Sequence, residues 1–315
     1  MPGSADAQTR EGPFWPRLLD ALVKLQAKVP ADARSSATLG TEREGTGIVI
    51  DNDGLVLTIG YVMLEASEVT LGLPGGRTVP ASIVAYDYET GFGLVRAAVA
   101  TGVKPIELGQ SATVKERDPV LVAAHGGSEA AMGAYIVSRR EFAGYWEYLL
   151  DDALFTAPPH PRFGGAALLD KDGKLVGVGS LIVPNALVEP QVPGNMFLPI
   201  DLLKPILGDL LATGRSSLPR RPWLGLWTQE VMGRLFVSRV VEGSPAAQAG
   251  LEPGDLVLAL AGRPVAGLAD FYRRLWALGE PGVTVSLQVL KGNTPTDLTL
   301  KAGDRYDWLK LNRSL

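Results

Sequence analysis

The chain has no cysteine among its 315 residues. Disulfides, thiol nucleophiles and thiolate metal sites are therefore excluded. Histidine is almost as scarce, with two in all, His125 and His160. They do not fall at a His-x-x-x-His spacing, so no metal site and no cofactor is expected. Nor is there an excess of charge of one sign: 30 basic and 34 acidic residues leave a net −4. A nucleic-acid partner would call for a basic surplus, and the pair Arg220-Arg221 is too short to supply one. No apolar run approaches the ~18 residues of a membrane-spanning helix. The N-terminus, Met1 to Glu11, is polar and lacks the apolar core of a signal peptide. The expected compartment is periplasmic if an export signal has been removed, and cytoplasmic otherwise.

Apolar residues make up 46% of the chain. At about 100–200 residues per domain, two or three domains are expected. Residues 1–12 read as a polar tail. Over 15–28, Trp15, Leu18, Leu19, Leu22, Leu25 and Val29 recur at three- and four-residue steps, which predicts an amphipathic helix. From about 36 the pattern changes to short apolar or alternating runs at 46–50, 55–59, 69–73, 78–86 and 92–97. More follow at 120–124, 134–138, 145–150, 166–169, 175–182 and 195–198. The turn dipeptides Asp53-Gly54, Gly75-Gly76 and Asp172-Gly173 separate several of them. About a dozen strands over this length suit two small barrels.

A helix is expected at 201–211, ending near Gly214. The polar, proline-bearing stretch from Arg215 to Pro222 reads as an interdomain linker. A second pattern follows, with strands at 223–228, 235–241, 256–260, 284–290 and 296–300. Its helices are expected at 244–249 and 268–278. The boundaries are then a tail and helix over 1–35, a double barrel over 36–213, a linker over 214–221, a second unit over 222–303 and a tail over 304–315.

Trp223-Leu224-Gly225-Leu226 resembles the carboxylate-binding loop of PDZ domains. The run Gly243-Ser244-Pro245-Ala246-Ala247-Gln248-Ala249-Gly250-Leu251-Glu252-Pro253-Gly254-Asp255 is similar to that family's most recognisable segment. The resemblance implies a groove in which backbone N–H groups hold a peptide's terminal carboxylate. The peptide would add as a strand beside residues 226–230, against the helix 268–278. Trp223, Leu224, Gly225, Leu226, Phe271 and Leu275 are the candidate peptide-binding residues; as plain core they would be equally apolar.

Residues 45–58, Gly45-Thr46-Gly47-Ile48-Val49-Ile50-Asp51 and Asp53-Gly54-Leu55-Val56-Leu57-Thr58, resemble the opening of an HtrA-type serine protease. The resemblance resumes at Gly164-Gly165-Ala166-Ala167-Leu168-Leu169-Asp170. It implies a mainly β fold: two six-stranded trypsin-like barrels followed by an α+β PDZ domain. The catalytic positions depart from the family. Its histidine lies in a Thr-Asn-x-His-Val-Val type of run; here Thr58-Ile59-Gly60-Tyr61-Val62-Met63 puts Tyr61 there. A phenol with a pKa of about 10 is a poor base near neutrality. Gly91 holds the aspartate position. Phe163 holds the serine position, in Pro161-Arg162-Phe163-Gly164-Gly165-Ala166. Pro161 replaces an oxyanion-hole glycine and has no N–H.

These positions lead to the expectation of a protein that is not an enzyme: a pseudoprotease acting through its PDZ groove as scaffold, adaptor or regulator. Its expected partners are peptide or protein C-termini. The resemblance also implies a homo-trimer, or a hetero-assembly with an active relative, through contacts that Phe14 and Trp15 would suit. The alternative is a serine endopeptidase or other hydrolase with a relocated site. His125 with Ser128 or Ser138, and His160 with Ser180, are the candidates for it, although both histidines also read as loop residues. In a third reading the groove is closed by the chain's own tail around Trp308.

Overall fold

The computed structural model describes residues 18–311. Two closed barrels of six strands each come first, then a six-stranded sheet with helices. The first barrel is built from β1 (Leu22–Lys28), β2 (Glu42–Val49), β3 (Leu55–Ile59), β4 (Glu68–Gly72), β5 (Thr78–Tyr86) and β6 (Phe92–Ala97). Its strands run in the order β1-β2-β3-β6-β5-β4.

The helix expected over 15–28 is corrected here. Residues 22–28 form strand β1, which pairs with β2 on one side and β4 on the other. The reason lies in the burial. Val23, Leu25, Ala27 and Val29 are buried, while Lys24, Gln26 and Lys28 face outward. That is a period of two, and Leu22 and Leu25 happen to satisfy the helical steps as well. The strand closes the barrel and removes a free edge. The first barrel therefore begins at residue 22 and not at 36. Phe14 and Trp15 lie outside the described residues.

The second barrel comprises β7 (Pro119–Ala123), β8 (Ala131–Gly144), β9 (Tyr148–Ala157), β10 (Ala167–Leu169), β11 (Leu175–Leu187) and β12 (Val192–Pro199). Their order is β10-β11-β12-β9-β8-β7. β8 and β9 are long, and their hairpin tip projects at residues 144–147. The expected strand at 145–150 begins only at Tyr148, because Tyr145 to Glu147 turn the chain. The single helix expected at 201–211 is two pieces, a 3-10 turn at Ile200–Leu202 and a helix at Leu207–Thr213.

The last unit contains β13 (Leu226–Val231), β14 (Arg234–Val240), β15 (Leu256–Leu260), β16 (Arg263–Pro264), β17 (Thr284–Lys291) and β18 (Thr294–Lys301). The expected strand at 223–228 starts three residues late. Trp223 makes only a bridge to Gly303, and Leu224 and Gly225 turn inward. The amphipathic helix Leu268–Trp276 buries Leu268, Phe271, Tyr272 and Leu275 on the sheet. No helix of the described residues is long and apolar enough to cross a membrane.

The tail folds back across both units. A short helix, Arg305–Trp308, is capped by the Asp304 carboxylate, which accepts from the Tyr306 N–H. Tyr306 and Leu309 join the core of the barrels. The Tyr306 hydroxyl accepts from Tyr88 N–H at 2.8 Å, and Lys310 N–H donates to Glu65 Oε1 at 2.7 Å. Trp308 stands on Trp223, 5.1 Å between centroids. Tyr306→Ala is expected to lower stability by about 3–5 kcal/mol, the cost of deleting a buried aromatic ring. Chemical denaturation measures this, and a loss below about 1 kcal/mol would mean that the tail is only loosely docked.

Candidate functional site

Tyr61, Gly91 and the loop of Phe163 do converge. β3 feeds directly into the one-turn helix Gly60–Met63, which carries Tyr61. The Gly60 N–H donates to Gly91 O at 2.7 Å, which fixes the Gly91 loop beside it. Tyr61 is half-buried, and its hydroxyl donates to Ser180 O at 2.8 Å, across the barrel interface. That burial raises its pKa further above the ordinary phenol value. Gly91 has φ +90, and a Cβ there would stand 3.1 Å from the Tyr148 hydroxyl. The loop carrying Phe163 is bound to its surroundings through backbone. Phe163 O accepts from Ala166 N–H at 3.0 Å, and Gly164 O accepts from Thr46 N–H at 2.8 Å.

The two histidines have different fates. His160 Nδ1 accepts from Arg162 N–H at 3.1 Å, so Nε2 carries the proton and points at Ala130 O, 3.1 Å away. Both ring nitrogens are spent on backbone, which leaves none for Ser180. His125 finds Thr46 and not Ser128 or Ser138. Its backbone N–H donates to Thr46 Oγ1 at 3.1 Å, and the same hydroxyl lies 3.1 Å from His125 Nδ1. In the tautomer that carries its proton on Nε2, which faces Glu44 Oε1 at 3.5 Å, Nδ1 accepts from that hydroxyl. Burial lowers the imidazole pKa and keeps it neutral near pH 7. Hydroxyl, imidazole and carboxylate thus stand in series at the edge of the same cleft, with the polarity that base-assisted nucleophiles use. Thr46 itself has no exposed surface.

The second site is a cradle of amides. The N–H groups of Gly225 and Leu226 donate to Glu147 Oε1 at 2.7 and 2.8 Å. Leu224 N–H donates to Oε2 at 3.1 Å. Gly225 makes the turn possible. Its φ is +80, and a Cβ would meet Ser244 Cβ at 2.2 Å. Of the candidate peptide-binding residues, Trp223, Leu224, Leu226, Phe271 and Leu275 all have buried side chains. The ones sequence reasoning missed are Glu147, Thr228 and Tyr272. Thr228 N–H donates to Tyr145 O at 2.9 Å. Tyr272 accepts from Glu147 N–H at 3.0 Å and donates to Gly144 O at 2.8 Å. The groove is therefore closed, but by the β8–β9 hairpin. The tail around Trp308 lies on Trp223 and donates to Glu242 O, away from the cradle.

Burial pushes the Glu147 carboxyl up to about 7, against the three N–H groups that pull it down. Its ordinary value is 4.5. A carboxyl raised by the contact takes up a proton as the contact forms. The contact is then at full strength below the ordinary value and weakens as pH rises through about 7. Tyr88, Glu89, Arg221, Asp304 and Arg305 line the space beside Glu147, and Tyr272 closes it from the helix. Amide exchange at residues 224–226, corrected for the intrinsic effect of pH, is expected to show less protection at pH 8 than at pH 5. Greater protection at pH 8 would reverse the assignment.

Comparison with known proteins places these sites in context. The trypsin-like peptidase domain model matches residues 45–178, and the PDZ domain model matches 222–302. A "Probable periplasmic serine endoprotease DegP-like" of Pseudomonas fulva is 27% identical over 300 residues, covering 88% of this chain and 60% of that protein. "Serine protease PepD" of Mycobacterium tuberculosis is 30% identical over 285 residues, covering 82% of this chain and 60% of that protein. The chain thus spans 60% of the length of these curated relatives. Among solved structures, the HtrA-type protease AlgW with a decapeptide has a TM-score of 0.53 at 20% identity, covering 92% of this chain and 97% of that one. The serine endoprotease from Yersinia pestis has a TM-score of 0.54 at 20% identity, covering 93% and 98%. The expectation that the chain is not an enzyme is corrected by these relatives. The curated ones are named serine proteases, which runs against reading the chain as an inactive homologue. The chain is a trypsin-like peptidase domain joined to a PDZ domain, a homologue of the DegP and HtrA serine proteases.

Proposed function

We propose that this chain is a periplasmic HtrA-type protease homologue that captures extended peptide ends through its PDZ groove. The observation that carries the reading is the amide cradle. Three consecutive N–H groups converge on one carboxylate. The hairpin turn that carries that carboxylate lies beside β13, with the Tyr145 carbonyl on Thr228 N–H. A peptide adding as a strand beside β13 would set its terminal anion in the same loop. Leu224, Leu226, Phe271 and Leu275 supply the apolar floor. The compartment follows the Pseudomonas fulva relative, which is named periplasmic. A pool of labelled peptides ending in free carboxylates is expected to be enriched on the full chain, while the same pool with amidated ends is not. Equal capture of both pools would contradict the carboxylate reading.

Hydrolysis, in this proposal, uses groups other than Tyr61, Gly91 and Phe163. The supporting observation is the series Thr46, His125 and Glu44. Thr46 Oγ1 is the candidate nucleophile, His125 Nδ1 the base and Glu44 the group that orients it. Thr46 is covered, so a movement of the 161–166 loop has to precede attack. Cleavage of an unfolded protein substrate is expected to fall by about 10²–10⁴ in His125→Ala, the usual contribution of a general base. The Tyr61→Phe variant, which loses only the bond to Ser180, is expected to stay within about tenfold of wild type. Cleavage that is indifferent to His125 would remove this assignment.

A further inference from the structure

A cavity of about 390 Å³ lies where the tail crosses the first barrel. It shares no lining residue with the Thr46–His125–Glu44 series or with the amide cradle. Small-molecule sites occupy about 300–1,000 Å³ and are mostly apolar, with a few converging polar groups. Here Met63 and Leu64 come from the turn that follows Tyr61, Ile83 and Val84 from β5, and Tyr306 and Leu311 from the tail. Neighbours along a strand normally point to opposite faces. A register shift between Ile83 and Ala85 breaks that alternation, so Ile83 and Val84 both reach the cavity. Ile83, Val84 and Leu311 are only half-buried, which leaves apolar surface for a ligand to cover.

Two charged residues line the cavity, Glu65 and Arg215. Glu65 is already spent on backbone. Its carboxylate accepts from the N–H groups of Arg34, Ser35 and Lys310 at 3.2, 2.7 and 2.7 Å. The buried Arg43 guanidinium lies close enough to offset its charge. Arg215 is not spent. It is half-buried, its guanidinium stands 4.8 Å from the centroid of the Tyr306 ring, and it pairs with no carboxylate among the described residues. We propose that this cavity binds a single-chain carboxylic acid, with the hydrocarbon on the apolar walls and the carboxylate on Arg215. A guanidinium matches a carboxylate in two parallel hydrogen bonds. An amine would meet Arg215 as a like charge, and an alcohol would leave it without a counter-ion. The Tyr61 turn, β5 and the tail each supply a wall, so the bound acid clamps the tail to the barrel.

The test titrates decanoic acid, decanol and decylamine into the full chain, reading affinity by calorimetry and amide exchange at residues 306–311. Decanoate is expected to bind at least about tenfold more tightly than decanol, the effect of a hydrogen bond to a charged group. Exchange at 306–311 is expected to slow when decanoate binds. Octanoate is expected to bind about 15-fold more weakly than decanoate, at about fourfold for each CH₂ removed from the apolar walls. Arg215→Ala is expected to erase the preference for the acid and to keep the binding of decanol. Val84→Trp, which fills the cavity, is expected to abolish binding of both; Arg215→Ala, at a half-buried linker position, decides the matter if that variant does not fold. No binding of decanoate to the wild-type chain, equal affinity for acid and amine, or an acid preference that survives Arg215→Ala overturns the proposal. Binding that appears only once residues 312–315 are removed also overturns it, and assigns the cavity to that segment instead.

Discussion

One buried carboxylate organises the relation between the two halves of this molecule. Three backbone N–H groups hold Glu147, and hydrogen bonds to a charged group contribute about 1.5–3 kcal/mol each. Against them stands the cost of taking a carboxylate out of water, which rules unless every lone pair is met. Here burial has the larger effect on the carboxyl, which is why it is raised rather than lowered. Such a contact is held by geometry more than by net energy. It defines which residue sits where, and it is open to replacement by a better-matched anion. The tail adds a second tie: Tyr306 enters the barrel core, and Arg220 pairs with Asp304 at 2.6 Å.

The cleft between the barrels is built on different lines. Tyr61 acts as a strut, with its hydroxyl on the Ser180 carbonyl. Gly91 fits under Tyr148, where a larger residue would press on the phenol. Gly165 must be glycine, since a Cβ would lie 2.1 Å from Thr46 O. That close approach also brings Thr46, and through it His125 and Glu44, against the Phe163 loop. In the proposed reading, kinship with named proteases and the residues at Tyr61, Gly91 and Phe163 meet at one place: the fold is retained, and the Thr46–His125–Glu44 series beside those residues supplies the hydroxyl and imidazole.

Much of the fold could be read from residues alone. Short apolar runs and Gly-containing turns located strands such as β3, β5 and β6 at their observed bounds, because β3 and β6 are buried along nearly their whole length and β5 is bounded by a glycine turn. The first strand was misread because Leu18, Leu22, Leu25 and Val29 satisfy a helical repeat as well as a strand, and only pairing with β2 and β4 decides between them. The amide cradle was legible as a motif around Gly225. Its occupant was not, since Glu147 lies 78 positions from Gly225 in the chain. A weak signal was present: an acidic residue flanked by Tyr145, Trp146 and Tyr148 at a hairpin tip is more aromatic than a solvent-exposed turn requires. The Thr46–His125 contact was hidden for the same reason, being separated by 79 positions and read first as a serine–histidine question.

The central claim is that the Gly225 amide is bonded to the Glu147 carboxylate in the resting chain. Its amide proton shift in the full-length protein tests this most directly. Above about pH 7, where the carboxyl is ionised, a charge-assisted bond predicts a strongly downfield Gly225 proton that moves upfield in Glu147→Gln, with the Thr46 and Gly165 amides of the cleft unmoved. A Gly225 shift that is ordinary in wild type and indifferent to Glu147 would contradict the account.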